Sequence, residues 1–503
     1  MKDDSGVDKY VFSVSVFLIG IFVLFGLFLP EDLEKWAGLA LNFSIDKFGW
    51  FYLISTFIML IFCIYLIFGP YAEIRLGKDE DRPAYSYFTW LAMLFSAGMG
   101  IGLVFYGVAE PMIHYARPPM GMADPYTNDA ARLAFRYSFF HWGLHPWAIY
   151  STIALAIAFF QFRKNEPGLI SVTLRPLMGD NVDKVSGKWI DIISIIATAF
   201  GVATSLGLGS LQIHAGLHYL FGLPEGKSIT IFIIIITTVL FLISAMTGLD
   251  KGIKILSNTN LTIAALLFLF IFFVGPTNFI IELFTTTVGS YIQNFIPMSF
   301  RMNPFTGGKW LAGNTLFYWA WWIAWAPFVG TFIARVSRGR TIREFVVGVM
   351  LAPTLLGCLW FSALGGSSLF YEMFHNAGIV KAVLQNETTA IFLSLAQLPL
   401  GSFLGFIATS LIIVFFVTSA DSATFVLGML SSKGDMNPKN SVKFTWGVLQ
   451  ASIAITLLLT GGLKALKTAA IVIALPFSFI LLAIVFSLLK ILKEDLASRK
   501  NRT

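Results

Sequence analysis

Uncharged apolar runs recur along this chain, among them VFSVSVFLIGIFVLFGLFLP at 11–30 and ITIFIIIITTVLFLISAM at 229–246. A helix of about 20 apolar residues crosses the hydrocarbon layer of a bilayer, and only a helix or a closed barrel satisfies its own backbone there. Of 503 residues, 56% are hydrophobic and 13% charged, more apolar surface than a water-soluble chain of this length can bury. The sequence therefore predicts an all-α integral membrane protein. Twelve spans are expected near 10–30, 48–69, 88–108, 133–160, 188–218, 228–248, 256–276, 310–334, 343–370, 401–430, 443–461 and 466–489. The segment 279–300, with Glu282, Thr285 and Gln293, is more mixed and reads as an amphipathic interfacial helix. The first run lacks a strongly basic lead and a small-residue cleavage site, so it is expected to be a retained span.

The basic residues set the topology. Arg75, Lys78 and Arg82 follow the second span, and Arg163, Lys164, Arg175 and Lys184 follow the fourth. Lys251 and Lys254 follow the sixth, Arg335 to Arg343 the eighth, and Lys433 to Lys443 the tenth. The alternate loops are poorer in Lys and Arg, which predicts that both termini are cytoplasmic. The net charge of +7 thus reads as topology and not as a nucleic-acid site. Cys63 and Cys358 lie inside apolar runs, which argues against a disulfide or a zinc site. No phosphate-binding loop is present, which disfavours an ATP-driven pump and leaves a channel, a secondary transporter or an intramembrane enzyme.

FYWAWWIAWAPFVG, residues 317–330, holds four tryptophans in seven positions. At about 100° per residue, Tyr318, Trp321, Trp322 and Trp325 share one helix face. An interfacial belt is the ordinary role of membrane tryptophan, but this stripe extends over two turns, roughly 10 Å along the axis. Generic aromatic packing between helices is the competing reading. A second set, Trp142, Trp147 and Tyr150, lies in FFHWGLHPWAIY at 139–150, where Pro146 predicts a kink. Facing one another, the two sets would form a box of ring faces suited to a quaternary ammonium, at about 2 kcal/mol per desolvated cation–π contact. A carboxylate would also admit Na⁺, Lys and Arg; rings favour a bulky, soft cation.

The third span carries FSAGMGIGLVFYGVAEP at 95–111, with Gly98, Gly100 and Gly102 alternating. Close helix packing is one reading of these glycines. A helix broken at midplane is the other, with freed amides for an anion and freed carbonyls for Na⁺. Box and break together would suit a zwitterion. In the tenth span FFVTSADSATF, at 415–425, sets Thr418, Ser419 and Ser422 beside Asp421. Those hydroxyls either bond back to the preceding turn or serve as hard ligands for Na⁺. Thr204 and Ser205 offer the same in the fifth span. Gly98 lies 220 residues before Tyr318, and Thr204 lies 214 before Thr418, which hints at two five-span halves of inverted topology.

AGMGIGL (97–103), HWGLHPWAIY (141–150), FYWAWWIAWAPFVG (317–330) and VTSADSATFVLG (417–428) together resemble the betaine/carnitine/choline transporters, over nearly the whole chain. The resemblance implies twelve spans, with spans 3–7 and 8–12 as two inverted five-helix repeats, in a bacterial plasma-membrane protein that commonly forms homotrimers. The corresponding division is 1–87 outside the repeat, 88–276 the first repeat, 277–309 the interfacial helix and connector, 310–489 the second repeat, and 490–503 a basic tail. That tail could sense anionic lipid or simply anchor the chain on the positive side.

The resemblance also implies roles. Trp142, Trp147, Tyr150 and Trp322 match the family's trimethylammonium box, and Trp321 and Trp325 its inner pathway. The backbone from Gly98 through Met99 and Gly100 to Gly102 would face a substrate carboxylate. Ser96 and Met99 would offer carbonyl oxygen to one sodium, opposite Phe415, Thr418 and Ser419, with Thr204 beside a second. No other cofactor is implied. Sodium-independent carnitine exchangers of the family carry an Arg in the fifth span; residues 188–218 hold only Lys188, at one end. Choline carriers tend to have Asp where this chain has Gly102. The expectation is sodium-coupled import of glycine betaine for osmoprotection. Choline, carnitine or another betaine remains open as substrate, a cation channel is a remoter alternative, and an enzyme built on His141 or His145 is disfavoured.

Overall fold

The computed structural model describes residues 6–98, 100–247, 250–305 and 308–500. Among these the chain is helical, with one isolated antiparallel bridge, Arg75 to Thr341. Among the described residues, ten helices are long and apolar enough to cross a membrane. Lys9–Phe28, Lys227–Thr247 and Gly401–Leu430 follow the expected runs, whereas Pro30–Phe68 begins well before the span expected at 48–69. The mixed segment forms its own helix, Thr277–Gln293, followed by a short one, Phe295–Ser299.

Three of the apolar segments are interrupted. The third is split into Tyr87–Gly98 and Ile101–Ala116, with Gly100 at φ −146° and ψ −146° between them. The fourth breaks at Gly143, between Asn128–Trp142 and Leu144–Ala158. The kink expected at Pro146 is thus realised three residues earlier. Proline has no N–H for the carbonyl four residues back, which is that of Trp142, and its ring crowds the same carbonyl. The third interruption is in Asn440–Lys500, where Gly461 and Gly462 leave helical geometry, Gly462 at φ 58°.

Burial sorts the helices into an inner group and an outer one. The apolar windows of Asn128–Arg163 and Lys309–Val336 are 94% buried, whereas those of Lys9–Phe28 and Ser257–Val274 are 22% buried. Outer helices turn large apolar side chains outwards, among them Phe17, Leu24, Phe28, Phe232 and Val239. That arrangement suits a lipid solvent. The tryptophan-rich helix Phe317–Val336 is at the centre, packed on Leu144–Ala158, Val185–Phe221 and Asn440–Lys500.

One end of the inner group is tied by the connecting loops. Beside the Arg75–Thr341 bridge, the Gly339 amide donates to the Leu76 carbonyl and the Leu76 amide to the Arg340 carbonyl. Trp90 Nε1 donates to Ser337 Oγ at 2.9 Å, and Arg340 lies 4.7 Å over the Trp90 ring. The first half of the split helix is thereby fixed to the end of the tryptophan-rich helix.

Candidate functional site

The two aromatic sets meet. The Trp142 and Trp322 ring centroids are 5.2 Å apart and nearly perpendicular, and Tyr150 and Trp322 are 5.3 Å apart. Trp321 is 6.3 Å from Trp142 and 6.5 Å from Trp325. Trp142, Tyr150, Trp321, Trp322 and Trp325 line one cavity with Gly100, Gly102 and Leu103. Trp147 is not among the lining residues. It is wholly buried behind them, 5.6 Å from Tyr150 and 6.4 Å from Trp322. Trp319, off the stripe, stacks on His145 at 5.4 Å and takes no part in the cavity.

Each indole that walls the cavity directs its N–H away to a partner. Trp142 donates to Glu110 Oε2 at 2.7 Å, Trp321 to Ser205 Oγ at 3.2 Å, Trp322 to the His141 carbonyl at 3.1 Å and Trp325 to the Gly201 carbonyl at 2.8 Å. Carbonyls in the last turn of a helix lack intrahelical partners, so the break at Gly143 frees His141 to accept. With the N–H groups satisfied elsewhere, the electron-rich faces are left for a ligand.

Glycines set the spacing. A Cβ on Gly102 would run into the Trp321 ring and lie 3.0 Å from Trp142. On Gly201 it would lie 2.9 Å from the Ala324 backbone, in the tryptophan-rich helix. The cavity volume is about 20 Å³, room for roughly one water. No carboxylate is among its described lining residues. The first turn of Ile101–Ala116 opens onto it, with the partial positive charge of a helix N-terminus, although the Leu103 amide already donates to the Gly100 carbonyl.

Of the residues expected to hold sodium, Ser419 lies beside the break in the third segment. A Cβ on Gly100 would lie 3.6 Å from Ser419 Oγ, so the break faces the helix Gly401–Leu430. Thr418 Oγ1 donates back to the Val414 carbonyl at 2.8 Å, the local alternative read from the sequence. Phe415 is buried in the same helix. Thr204 Oγ1 donates to the Phe200 carbonyl at 2.9 Å and reaches the Leu466 carbonyl at 3.4 Å. Asp421 accepts from Ser244 Oγ at 3.0 Å. Met99 lies outside the described residues. Ser96 and Gly98 are described only as the helical end of Tyr87–Gly98.

A second, larger cavity of about 330 Å³ adjoins the box. Tyr106, Phe317 and Tyr318 line it, and Tyr106 is 6.2 Å from Trp142 and 6.0 Å from Trp321, so a single layer of rings separates the two spaces. Lys467 lies 5.7 Å over the Tyr106 ring and 5.4 Å over that of Phe317, and pairs with Glu387 at 3.2 Å. The sequence reading overlooked Glu110 behind Trp142. Its i,i+4 spacing to His114 was a usable signal, but its partners His141 and Trp142 come from another helix.

Comparison with known proteins settles the family. The family model for betaine/carnitine/choline family transporters matches residues 10–497. The chain belongs to the betaine/carnitine/choline transporter family. Among similar members of this family is the glycine betaine transporter OpuD of Bacillus subtilis, 51% identical over 96% of this chain and 94% of that one. The ectoine/hydroxyectoine transporter of Virgibacillus pantothenticus is 43% identical, covering 97% of both chains. A probable glycine betaine transporter of Desulfitobacterium hafniense is 44% identical over 97% of this chain and 99% of its own. A betaine/carnitine/choline transporter is a membrane transporter, as the apolar helices require.

Proposed function

We propose that this protein imports glycine betaine by sodium symport, through alternating access, for osmoprotection. The observation that carries the reading is the cavity lined by Trp142, Tyr150, Trp321 and Trp322 with no acid among its described lining residues. A trimethylammonium has no N–H to satisfy, so ring faces bind it without a counter-charge. The substrate carboxylate would meet the amides of the first turn of Ile101–Ala116, at a helix end that attracts anions. The glycine betaine transporters among its relatives support the same substrate class. The relative named for ectoine makes ectoine the second substrate to test.

Sodium fits the apposition of the Gly100 break with Ser419, whose hydroxyl stands against the interrupted backbone. In the proposed layout the ten apolar helices, the split third segment and the division of Asn440–Lys500 at Gly461–Gly462 make twelve spans. Spans 3–7 and 8–12 form inverted repeats, and both termini are cytoplasmic. The ~20 Å³ cavity is smaller than an onium group, so the rings must part to admit one. Ion and substrate would favour closure together because each gains contacts only there.

The deciding experiment is uptake of labelled glycine betaine, ectoine, choline and carnitine into proteoliposomes, with Na⁺ on the outside or replaced by K⁺. The proposal expects glycine betaine to be taken up best and only with Na⁺. Equal uptake in K⁺ removes the coupling, and preference for choline removes the substrate.

A further inference from the structure

Glu110 and His114 stand one turn apart on Ile101–Ala116, and His141 comes from the end of Asn128–Trp142. All three side chains are at most 1% exposed. Glu110 Oε1 is 2.6 Å from His141 Nδ1 and 3.4 Å from His114 Nε2. One ligand atom from each residue can be chosen so that all three lie within 4.8 Å of one another. The box explains part of this group, since Glu110 Oε2 holds the Trp142 indole. It does not explain His114, neither of whose ring nitrogens makes a hydrogen bond. Its Nδ1 has no polar contact and its Nε2 has only the Glu110 carboxylate, 3.4 Å away, so this buried imidazole can turn a nitrogen to an ion shared with a carboxylate and a second imidazole.

We propose that Glu110, His114 and His141 form a binding site for a divalent transition metal ion of the zinc class, reached from the 330 Å³ cavity that Glu110 and His114 line. Two imidazoles exclude the oxygen-seeking Na⁺, Mg²⁺ and Ca²⁺ and select zinc, cobalt or nickel. Bonds of about 2 Å set ligand atoms about 3.3 Å apart at the edges of a tetrahedron. The Glu110–His114 distance already matches, and the Glu110–His141 pair opens by several tenths of an ångström. His141 Nε2 lies 2.8 Å from Thr315 Oγ1, so ligation through Nδ1 leaves the outer N–H a partner. Glu110 Oε2 stays oriented by Trp142. Such outer hydrogen bonds fix the ring and raise ligand basicity. The cavity leaves the remaining coordination position to water.

The test is titration of the purified full-length protein with Co²⁺, read by ligand-field absorption, followed by displacement with Zn²⁺. One Co²⁺ per chain is expected, displaced by Zn²⁺. His114→Ala is the variant of choice, because its removal orphans no hydrogen bond. It is expected to weaken Co²⁺ binding at least tenfold while leaving the melting curve and glycine betaine uptake as in the parent. Thr315→Val is expected to weaken binding about 10–100-fold. His218→Ala, at an exposed imidazole, leaves binding unchanged. Absence of a Co²⁺ spectrum overturns the proposal, and so does undiminished affinity in His114→Ala.

Discussion

Trp322 touches Trp142, Trp147, Tyr150 and Trp321, more of the box than any other ring, and its N–H is held by the His141 carbonyl. Trp322→Leu keeps an apolar side chain but removes a cation–π face of about 2 kcal/mol, so the KM for glycine betaine is expected to rise roughly 30-fold. Trp147→Phe, at a ring that stands behind the cavity, is expected to raise KM far less. Equal losses in the two variants would mean that packing and not the cavity faces decides uptake. Gly102→Ala is the complementary change. Its methyl would run into Trp321, so transport should fall at least tenfold although no ligand-facing side chain is lost. The ring stripe was legible in the sequence because helical period alone aligns Tyr318, Trp321, Trp322 and Trp325. The difference between Trp147 and Trp142 was not legible. It depends on the break between them at Gly143, which turns the two rings by an angle that an ideal helix does not have.

At the scale of helices, glycine decides where the site opens. The alternating glycines signalled the split near Gly100, since a segment rich in Gly both weakens a helix and admits close neighbours. Pro146 predicts a kink, and the structure has a full interruption at Gly143 instead, because proline acts on the carbonyl one turn earlier. Gly461–Gly462 divides Asn440–Lys500 at the junction of the two spans expected at 443–461 and 466–489, and the helices run up to it from both sides. Gly462 has φ 58° and ψ −137°, a conformation nearly closed to other residues, with no atom within 4 Å of where a Cβ would be. Gly462→Ala therefore costs backbone strain alone, about 1–3 kcal/mol, and is expected to lower the thermal midpoint in detergent without altering substrate preference. A parent-like melting curve would show that the turn relaxes. Glu110 escaped the sequence reading for a different reason. A single acid in an apolar run gains meaning only from partners, and His141 and Trp142 reach it through the packing of two helices.

For the molecule as a whole, counterflow separates a carrier from a pore: vesicles preloaded with unlabelled glycine betaine should take up labelled glycine betaine against its gradient. A conducting pore would equilibrate label without that overshoot. An inside-negative potential should speed uptake, because glycine betaine is neutral overall and sodium carries the charge, worth about 2.3 kcal/mol per 100 mV. Uptake indifferent to voltage would remove the symport. The ~20 Å³ left between the rings has one more effect, on what the protein keeps out. Protons cross membranes along files of hydrogen-bonded water, and a space that admits one molecule bounded by tryptophan faces cannot carry such a file. In this conformation the aromatic cluster therefore interrupts any such file at the cavity, so the proposed transport implies no proton leak there.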